Sequence, residues 1–248
     1  MKIDEIDKGI RISDISDFCP IHTFECGQAF RWDWDGKGYI GIVKDKVIRV
    51  TTDNNDIIFE NASIDDYTLL WESYFDFKTD YAAIKNILSE DSIMKEAVDY
   101  GWGIRILNQD PWETLISFII SANNGIPRIK KTILKLSALY GDPIIWDNKQ
   151  FYSFPSPSKL AHAKINDLMD CGCGYRSEYI KKTAEMVFNN EIDLESLKTY
   201  TYENAYKTLL SCMGVGPKVA DCVLLFSLQK GEAFPVDVWI KRIMEYFY

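Results

Sequence analysis

Lys218 and Asp237 are the two residues of this chain whose types and spacing could carry out chemistry together. A lysine amine can attack an electrophilic carbon and form a Schiff base. A carboxylate nearby can stabilise the positive charge that develops as a bond at that carbon breaks. Taken alone, Lys218 is more simply explained as a surface lysine that pairs with Asp221 one turn further along the same helix. The residues around it therefore have to decide between the two interpretations.

The stretch before Lys218 is a tight turn between two apolar helical patterns, at 202–211 and 217–229. Gly214 and Gly216 form the corners of this turn on either side of Val215, and glycine tolerates the positive φ that such corners need. A proline at the first position of the following helix costs nothing, because its missing N–H would be unpaired there. We predict a helix-hairpin-helix at about 202–229 whose hairpin amides bind one phosphate.

The rest of the chain supplies the elements that must position these residues. Strand-like segments bounded by turn residues come first, at 24–34, 38–43, 46–52 and 56–60. Helical periodicity follows, at 64–75, 79–89, 91–100, 111–122, 126–140, 157–169, 175–190, 194–199, 202–211, 217–229 and 237–248, the last with Asp237 as its N-cap. We therefore expect an α+β fold, with an N-terminal antiparallel β-sheet domain (1–63) packed on a mainly helical body (64–248). No element is predicted before residue 24, and 141–157 is predicted to be a loop.

Composition limits the function classes. Of the 248 residues 47% are hydrophobic, which is typical of a globular protein. There is neither a long uncharged apolar run nor a signal peptide. We therefore expect a cytoplasmic monomer that does not bind a membrane. The six cysteines lack the spacing of a disulfide framework or of a metal site, so we expect no metal and no cofactor. The net charge of −9 argues against nucleic acid for the chain as a whole, but the second half contains enough Lys and Arg for a local basic face.

Four further motifs occur in a fixed order around the hairpin. They are Gly27-Gln28-Ala29-Phe30-Arg31-Trp32, Gln109-Asp110-Pro111, Ser121-Ala122-Asn123-Asn124 with Arg128, and Gly174-Tyr175-Arg176. Together with the hairpin, Lys218 and Asp237, this set resembles the 8-oxoguanine DNA glycosylases of the helix-hairpin-helix, Gly-Pro-Asp superfamily. The resemblance extends from Phe24 to Trp239. It implies base excision from double-stranded DNA that contains oxidised guanine opposite cytosine, by a glycosylase that also nicks the strand as a β-lyase.

The resemblance implies a role for each matching residue at the damaged base. Lys218 would be the nucleophile and Asp237 the assisting carboxylate. Gly27 would offer its carbonyl to N7–H of the oxidised base, where normal guanine has only an acceptor. Cys222, one turn after Lys218, would form a wall of the base pocket. From their local sequences alone, Gly27 is a turn or bulge glycine and Cys222 a core thiol.

The resemblance also implies contacts to the opposite strand. Asn123, Arg128 and Arg176 would hydrogen-bond the unpaired cytosine, since amide and guanidinium groups suit its pairing edge. Tyr175 would fill the gap that the flipped base leaves. Without the resemblance, each of these residues is more simply explained as part of a loop or a helix start.

The chain departs from the family pattern at its end. It stops at Tyr248 within an apolar helical pattern, so the C-terminal helices of the family are expected to be missing. Two alternatives stay open: a glycosylase of the same superfamily for another damaged base, and a non-catalytic module that uses the hairpin only to bind DNA.

Overall fold

The computed structural model describes residues 1–54 and 56–248, which divide into two compact units. The sheet unit comprises Met1–Ile42, Val47–Asn108 and Phe247, and the helical unit comprises Val43–Lys46, Gln109–Tyr246 and Tyr248. The expected α+β class, with an N-terminal antiparallel sheet and a mainly helical body, is confirmed. The division after Asn108 differs from the predicted boundary at residue 63. In the described residues, no helix is both long enough and apolar enough to cross a bilayer.

The sheet unit is built on six strands in the order β1-β2-β6-β5-β4-β3. The strands are β1 (Lys2–Ile6), β2 (Gly9–Ser13), β3 (Trp32–Trp34), β4 (Tyr39–Val43), β5 (Lys46–Asp53) and β6 (Asp56–Glu60). The β1–β2 hairpin pairs with the last strand, so that Ile10 lies opposite Phe59. Ile10 and Ile12 are fully buried and alternate with half-buried neighbours, which is the period-2 pattern of a strand with one face in the core.

The segment from Phe24 to Arg31 is not a strand, contrary to prediction. A short helix, α1 (Pro20–Glu25), occupies its beginning, and an irregular stretch leads from there into β3. Gln28, Ala29, Phe30 and Arg31 are all buried, so the segment also lacks the alternation of buried and exposed residues that is expected of a half-buried strand. The first 23 residues, for which no element was predicted, contain two strands and most of α1.

Residues that follow the sheet in sequence remain part of the sheet unit because their aromatic side chains complete its core. They form α2 (Ile64–Asp66), a π-helical turn (Tyr67–Trp71) and α3 (Glu72–Tyr74), followed by α4 (Tyr81–Leu88) and α5 (Ser92–Tyr100). Phe75 lies with its ring centroid 5.0 Å from that of Phe59 on β6. Trp32 stacks on Phe24 at 4.0 Å and donates a hydrogen bond from Nε1 to the Tyr74 hydroxyl at 2.9 Å. Such ring contacts contribute beyond the area they bury.

The helical unit contains eight α-helices, a 3-10 turn and one hairpin among the residues described. These are α6 (Pro111–Ser121), α7 (Ile126–Tyr140), β7 (Pro143–Trp146), β8 (Lys149–Tyr152), α8 (Pro157–Ala161), α9 (Ile165–Asp170), α10 (Arg176–Phe188), the 3-10 turn (Ser196–Thr199), α11 (Tyr202–Leu210), α12 (Pro217–Ser227) and α13 (Val238–Phe247). The β7–β8 hairpin replaces the predicted loop, and the predicted helix at 157–169 is two shorter helices.

Helix starts in this unit follow the local signals. Asp110 caps α6 by accepting a hydrogen bond from the Glu113 amide at 2.9 Å, and Pro111 takes the first helical position. Positions 114 to 120 of α6 are all buried, and α12 packs against this helix. The proposed nucleophile on α12 is thus held against the most buried helix of the unit.

Candidate active site

The predicted helix-hairpin-helix is present as α11, a turn and α12. Gly214 has φ +82°, and a Cβ there would lie 2.6 Å from the ring of Tyr179. Gly216 is the N-cap of α12, where no side chain accepts from the first-turn amides. Those amides are therefore available to an external acceptor such as a phosphate oxygen. The Thr183 hydroxyl donates to the Met213 carbonyl at 3.3 Å and ties the turn to α10.

Lys218 is half-buried in the first turn of α12 and lies between an aromatic ring and a thiol. Its Nζ is 4.7 Å from the ring centroid of Phe118 on α6. Burial raises the pKa of the Cys222 thiol to about 11, which the charge and hydrogen bonding of Lys218 oppose. The amine thus lies close to an apolar ring and to a neutral thiol.

The alternative pairing of Lys218 with Asp221 does not form. Asp221 accepts a hydrogen bond from the Tyr202 hydroxyl at 2.8 Å instead, which joins α11 to α12. Burial, followed by this hydrogen bond to the carboxylate, raises the pKa of Tyr202 to about 12. Within the described ranges no carboxylate forms an ion pair with Lys218.

Asp237 is the N-cap of α13, as predicted. Its Oδ1 accepts from the amides of Trp239 and Ile240, both at 2.9 Å, and the residue is exposed. The negative charge of Asp237 also raises the pKa of the Cys222 thiol. The carboxylate is therefore within electrostatic range of the Lys218–Cys222 pair, and capping fixes its orientation.

Asn123 and Arg176 meet at the turn between α6 and α7. Asn123 is exposed with φ +50°, a left-handed conformation that asparagine adopts more readily than most residues. The Arg176 guanidinium is buried and donates from Nε to the Ala122 carbonyl at 3.1 Å and from Nη2 to the Asn123 carbonyl at 3.2 Å. In this structure Arg176 therefore holds the Asn123 turn in place, a contact that the sequence did not predict.

Tyr175 and Arg128 are exposed beside this turn in the helical unit. The Tyr175 ring lies 4.4 Å from the Arg176 guanidinium and packs edge-on against Tyr179 at 5.9 Å. Tyr179 is also the residue on which Gly214 rests. Tyr179 on α10 thus connects the predicted wedge with the hairpin that is predicted to bind phosphate.

Gly27 belongs to the sheet unit and does not lie in a strand, contrary to the strand predicted at 24–34. It follows α1 in a bend with φ +88°. Gln28, which the sequence gave no reason to single out from its neighbours, is buried and fixes this bend. Its Nε2 donates to the carbonyls of Thr23 (2.9 Å) and Arg105 (2.8 Å), and its Oε1 accepts from the Leu107 amide at 2.9 Å.

The cysteines do not form a metal centre in the described part of the chain. All six are free, and no group of three or more His, Cys, Asp or Glu residues is arranged to hold an ion. Burial raises the pKa of Cys173 to about 12, which makes that thiol inert at neutral pH.

Two models of known protein families match this chain. A family model described as HhH-GPD superfamily base excision DNA repair protein matches residues 116–248, and the chain belongs to that superfamily. Residues 10–115 match the model described as 8-oxoguanine DNA glycosylase, N-terminal domain.

Solved structures and curated relatives agree with this membership. The 8-oxoguanine glycosylase/lyase of Clostridium acetobutylicum, in complex with double-stranded DNA containing cytosine opposite 8-oxoG, is 41% identical with a TM-score of 0.98 over 100% of this chain and 86% of that one. The N-glycosylase/DNA lyase of Saccharomyces cerevisiae is 34% identical over 92% of this chain and 68% of its own length. The probable N-glycosylase/DNA lyase of Methanothermobacter thermautotrophicus is 36% identical over 71% of this chain, which spans 62% of that relative's length.

Proposed function

We propose that this protein is a bifunctional DNA glycosylase and β-lyase that removes 8-oxoguanine opposite cytosine from duplex DNA. The observation that carries the proposal is the position of the Lys218 amine, which follows the hairpin and lies against Phe118 and Cys222. Among the residues that the structure describes, no carboxylate pairs with it. The names of the similar proteins, 8-oxoguanine glycosylase/lyase and N-glycosylase/DNA lyase, support the same activity.

The proposed reaction begins with attack by neutral Lys218 Nζ on the anomeric carbon, C1′, of the damaged nucleotide. The N–C1′ bond forms as the bond from C1′ to the base breaks, and the base leaves with the bonding electrons and takes up a proton. Opening of the sugar ring then gives a Schiff base between Nζ and C1′. Loss of a C2′ proton followed by departure of the 3′ phosphate completes β-elimination and nicks the strand.

Asp237 would serve the first of these steps. A carboxylate fixed by two backbone amides needs little reorganisation to stabilise positive charge on the sugar as the base departs. Capping and catalysis are compatible, because the second carboxylate oxygen is not used in the cap.

The remaining site residues keep the roles that the family resemblance implies. Gly27 would recognise N7–H of the oxidised base, Cys222 would line its pocket, and the Gly214-Val215-Gly216 amides would bind a phosphate. Asn123, Arg128 and Arg176 would contact the opposite cytosine, Tyr175 would act as the wedge, and Arg176 would also hold the Asn123 turn in place. The proposed cellular location is the compartment that contains duplex DNA, which is the cytoplasm in a prokaryote.

Borohydride trapping tests the proposal. The reductant converts a Schiff base into a stable amine, so a duplex containing 8-oxoguanine opposite cytosine should yield a covalent protein–DNA band. Lys218→Gln should abolish the band, whereas Lys149→Gln, which removes an exposed lysine on β8, should leave it intact. Trapping by Lys218→Gln would contradict the assigned nucleophile. Bands of equal strength with 3-methyladenine or thymine glycol would contradict the assigned substrate, and binding with no band in the wild type would favour a non-catalytic module.

A further inference from the structure

We propose that Phe118 is a positioning residue for the reaction of Lys218, an inference that rests on the proposed function. The ring of Phe118 lies 4.7 Å from Lys218 Nζ, at a distance typical of a cation–π contact. Phe118 accepts no proton and forms no bond in the reaction, so its part is to determine where the amine resides before attack.

The ring is itself held rigidly. Phe118 lies on α6 with only 2% of its surface exposed, and its ring stacks on that of Phe226 from α12 at 5.7 Å with an interplanar angle of 19°. α12 thus supplies both the amine and the ring behind Phe118. Because the Phe118 side chain is buried and stacked in this way, its orientation is fixed and the face of its ring stays directed at Lys218.

Lysine needs such a partner in order to be placed accurately. Its four-carbon side chain has many rotamers, and reaction requires Nζ to be within about 3–3.5 Å of the attacked carbon. A carboxylate would fix the ammonium, but it would also favour the charged form that cannot attack. An aromatic face attracts the ammonium more weakly, and a hydrogen bond between Lys218 and the Cys222 thiol limits the remaining freedom. Phe118 and Cys222 together orient the amine without an ion pair.

A series of fluorinated phenylalanines at position 118 tests this assignment. Fluorine withdraws electron density from the ring face and hardly changes its size, so the cation–π attraction weakens while the packing is retained. The first-order rate of borohydride trapping is measured at saturating 8-oxoguanine duplex, together with the Kd for DNA and the Tm. We expect the trapping rate to fall with each added fluorine, by about fivefold at trifluorination, while Kd and Tm stay unchanged.

The same series at Phe226 is the matched control, because that ring lies in the same stack but is not the one that faces Lys218. A trapping rate that stays constant or rises with fluorination at position 118 would overturn the inference. An equal fall at positions 118 and 226 would also overturn it, because it would show that only packing matters. Absence of trapping by the wild-type protein would contradict the proposed function and this inference with it. A wild-type band combined with a flat series at 118 would contradict the inference only.

Discussion

Arg49 in the sheet unit and Arg176 in the helical unit are both almost fully buried, but they differ in what surrounds their charge. Arg49 donates from Nη2 to Asp35 at 2.8 Å and also pairs with Glu60, so two carboxylates neutralise it. Arg176 contacts backbone carbonyls and the Tyr175 ring, and within the described chain no carboxylate pairs with it. One arginine is part of an internal ion-pair network, and the other keeps its net positive charge.

The charge of Arg49 is thus used within the fold, whereas the charge of Arg176 is available to a ligand. Burial raises the free energy of an ion, and opposite charges nearby offset that cost within the fold. Carbonyl oxygens satisfy the N–H groups of Arg176 without cancelling its charge, so the guanidinium beside Asn123 keeps its positive charge. A DNA backbone or base edge that approaches this turn would complete the neutralisation. Arg49 in the sheet unit is already neutralised by Asp35 and Glu60.

The largest expected effect is on stability, at the neutralised arginine. Arg49→Leu leaves the Asp35 and Glu60 carboxylates without their cation and should lower the free energy of unfolding by about 3 kcal/mol, measured by urea denaturation. Arg11→Leu is the matched control, because Arg11 pairs with Asp53 and Asp56 on the same sheet but is 35% exposed at its side chain. That change should lower the free energy of unfolding much less than Arg49→Leu, because solvent screens an exposed ion pair. Equal losses would remove the distinction between buried and exposed pairs.

An intermediate effect is expected at the arginine that keeps its charge. Arg176→Leu should cost about 2 kcal/mol of stability and weaken binding of a duplex with an abasic-site analogue by about tenfold. Arg176→Lys keeps the charge but loses the planar fork that reaches both carbonyls. It should therefore recover part of the affinity at low salt, in a fluorescence anisotropy titration. Unchanged affinity in Arg176→Leu would show that the charge is not used by DNA.

The smallest expected effect compares two glycines, one from each unit. Gly36 has φ +95° with open space around it, whereas Gly214 has φ +82° with the Tyr179 ring in the way. Gly36→Ala should cost about 1 kcal/mol from the backbone alone, and Gly214→Ala about 1 kcal/mol more because the ring must move. Thermal unfolding measures both costs. Gly214→Ala should also weaken DNA binding, and a loss of binding in Gly36→Ala would argue that the effect is not local to the hairpin.

Local sequence signals predicted the helical unit well. Proline at a first helical position marked the start of α6 and of α12, and Asp237 caps the helix it was expected to cap. These signals are reliable because they involve bonds between residues two or three positions apart. The hairpin was predictable for the same reason, because a glycine at position 214 allows the positive φ of the turn without any contact from distant residues.

The segment before β3 was mispredicted because long-range contacts determine it. Gln28 looked like one position of an alternating strand, but its partners Arg105 and Leu107 are far away in sequence. The β1–β2 hairpin did carry a usable signal, since apolar and polar residues alternate in Gly9-Ile10-Arg11-Ile12-Ser13.

The positioning contacts of the site were beyond the reach of local patterns. Phe118 reads as one more apolar residue of α6, and only the packing of α12 on that helix brings Lys218 to its ring. Arg176 was singled out as a recognition residue, but its bonds to the Ala122 and Asn123 carbonyls depend on a turn that is distant in sequence. The sequence indicated which residues could react, whereas the side chains proposed to orient them could be identified only from the structure.

The pairing of β2 with β6 has a consequence for the order of folding. Gly9 lies opposite Glu60, so this pairing closes a long loop, whereas β3 to β6 follow one another through short turns. Loop closure of that length costs entropy before any contact offsets it, and non-local strand pairing is slow. We expect the β3–β6 meander to form early and the β1–β2 hairpin to dock on it late. Gly27 lies within the loop that this docking closes, and its bend therefore acquires its final shape among the last events of folding.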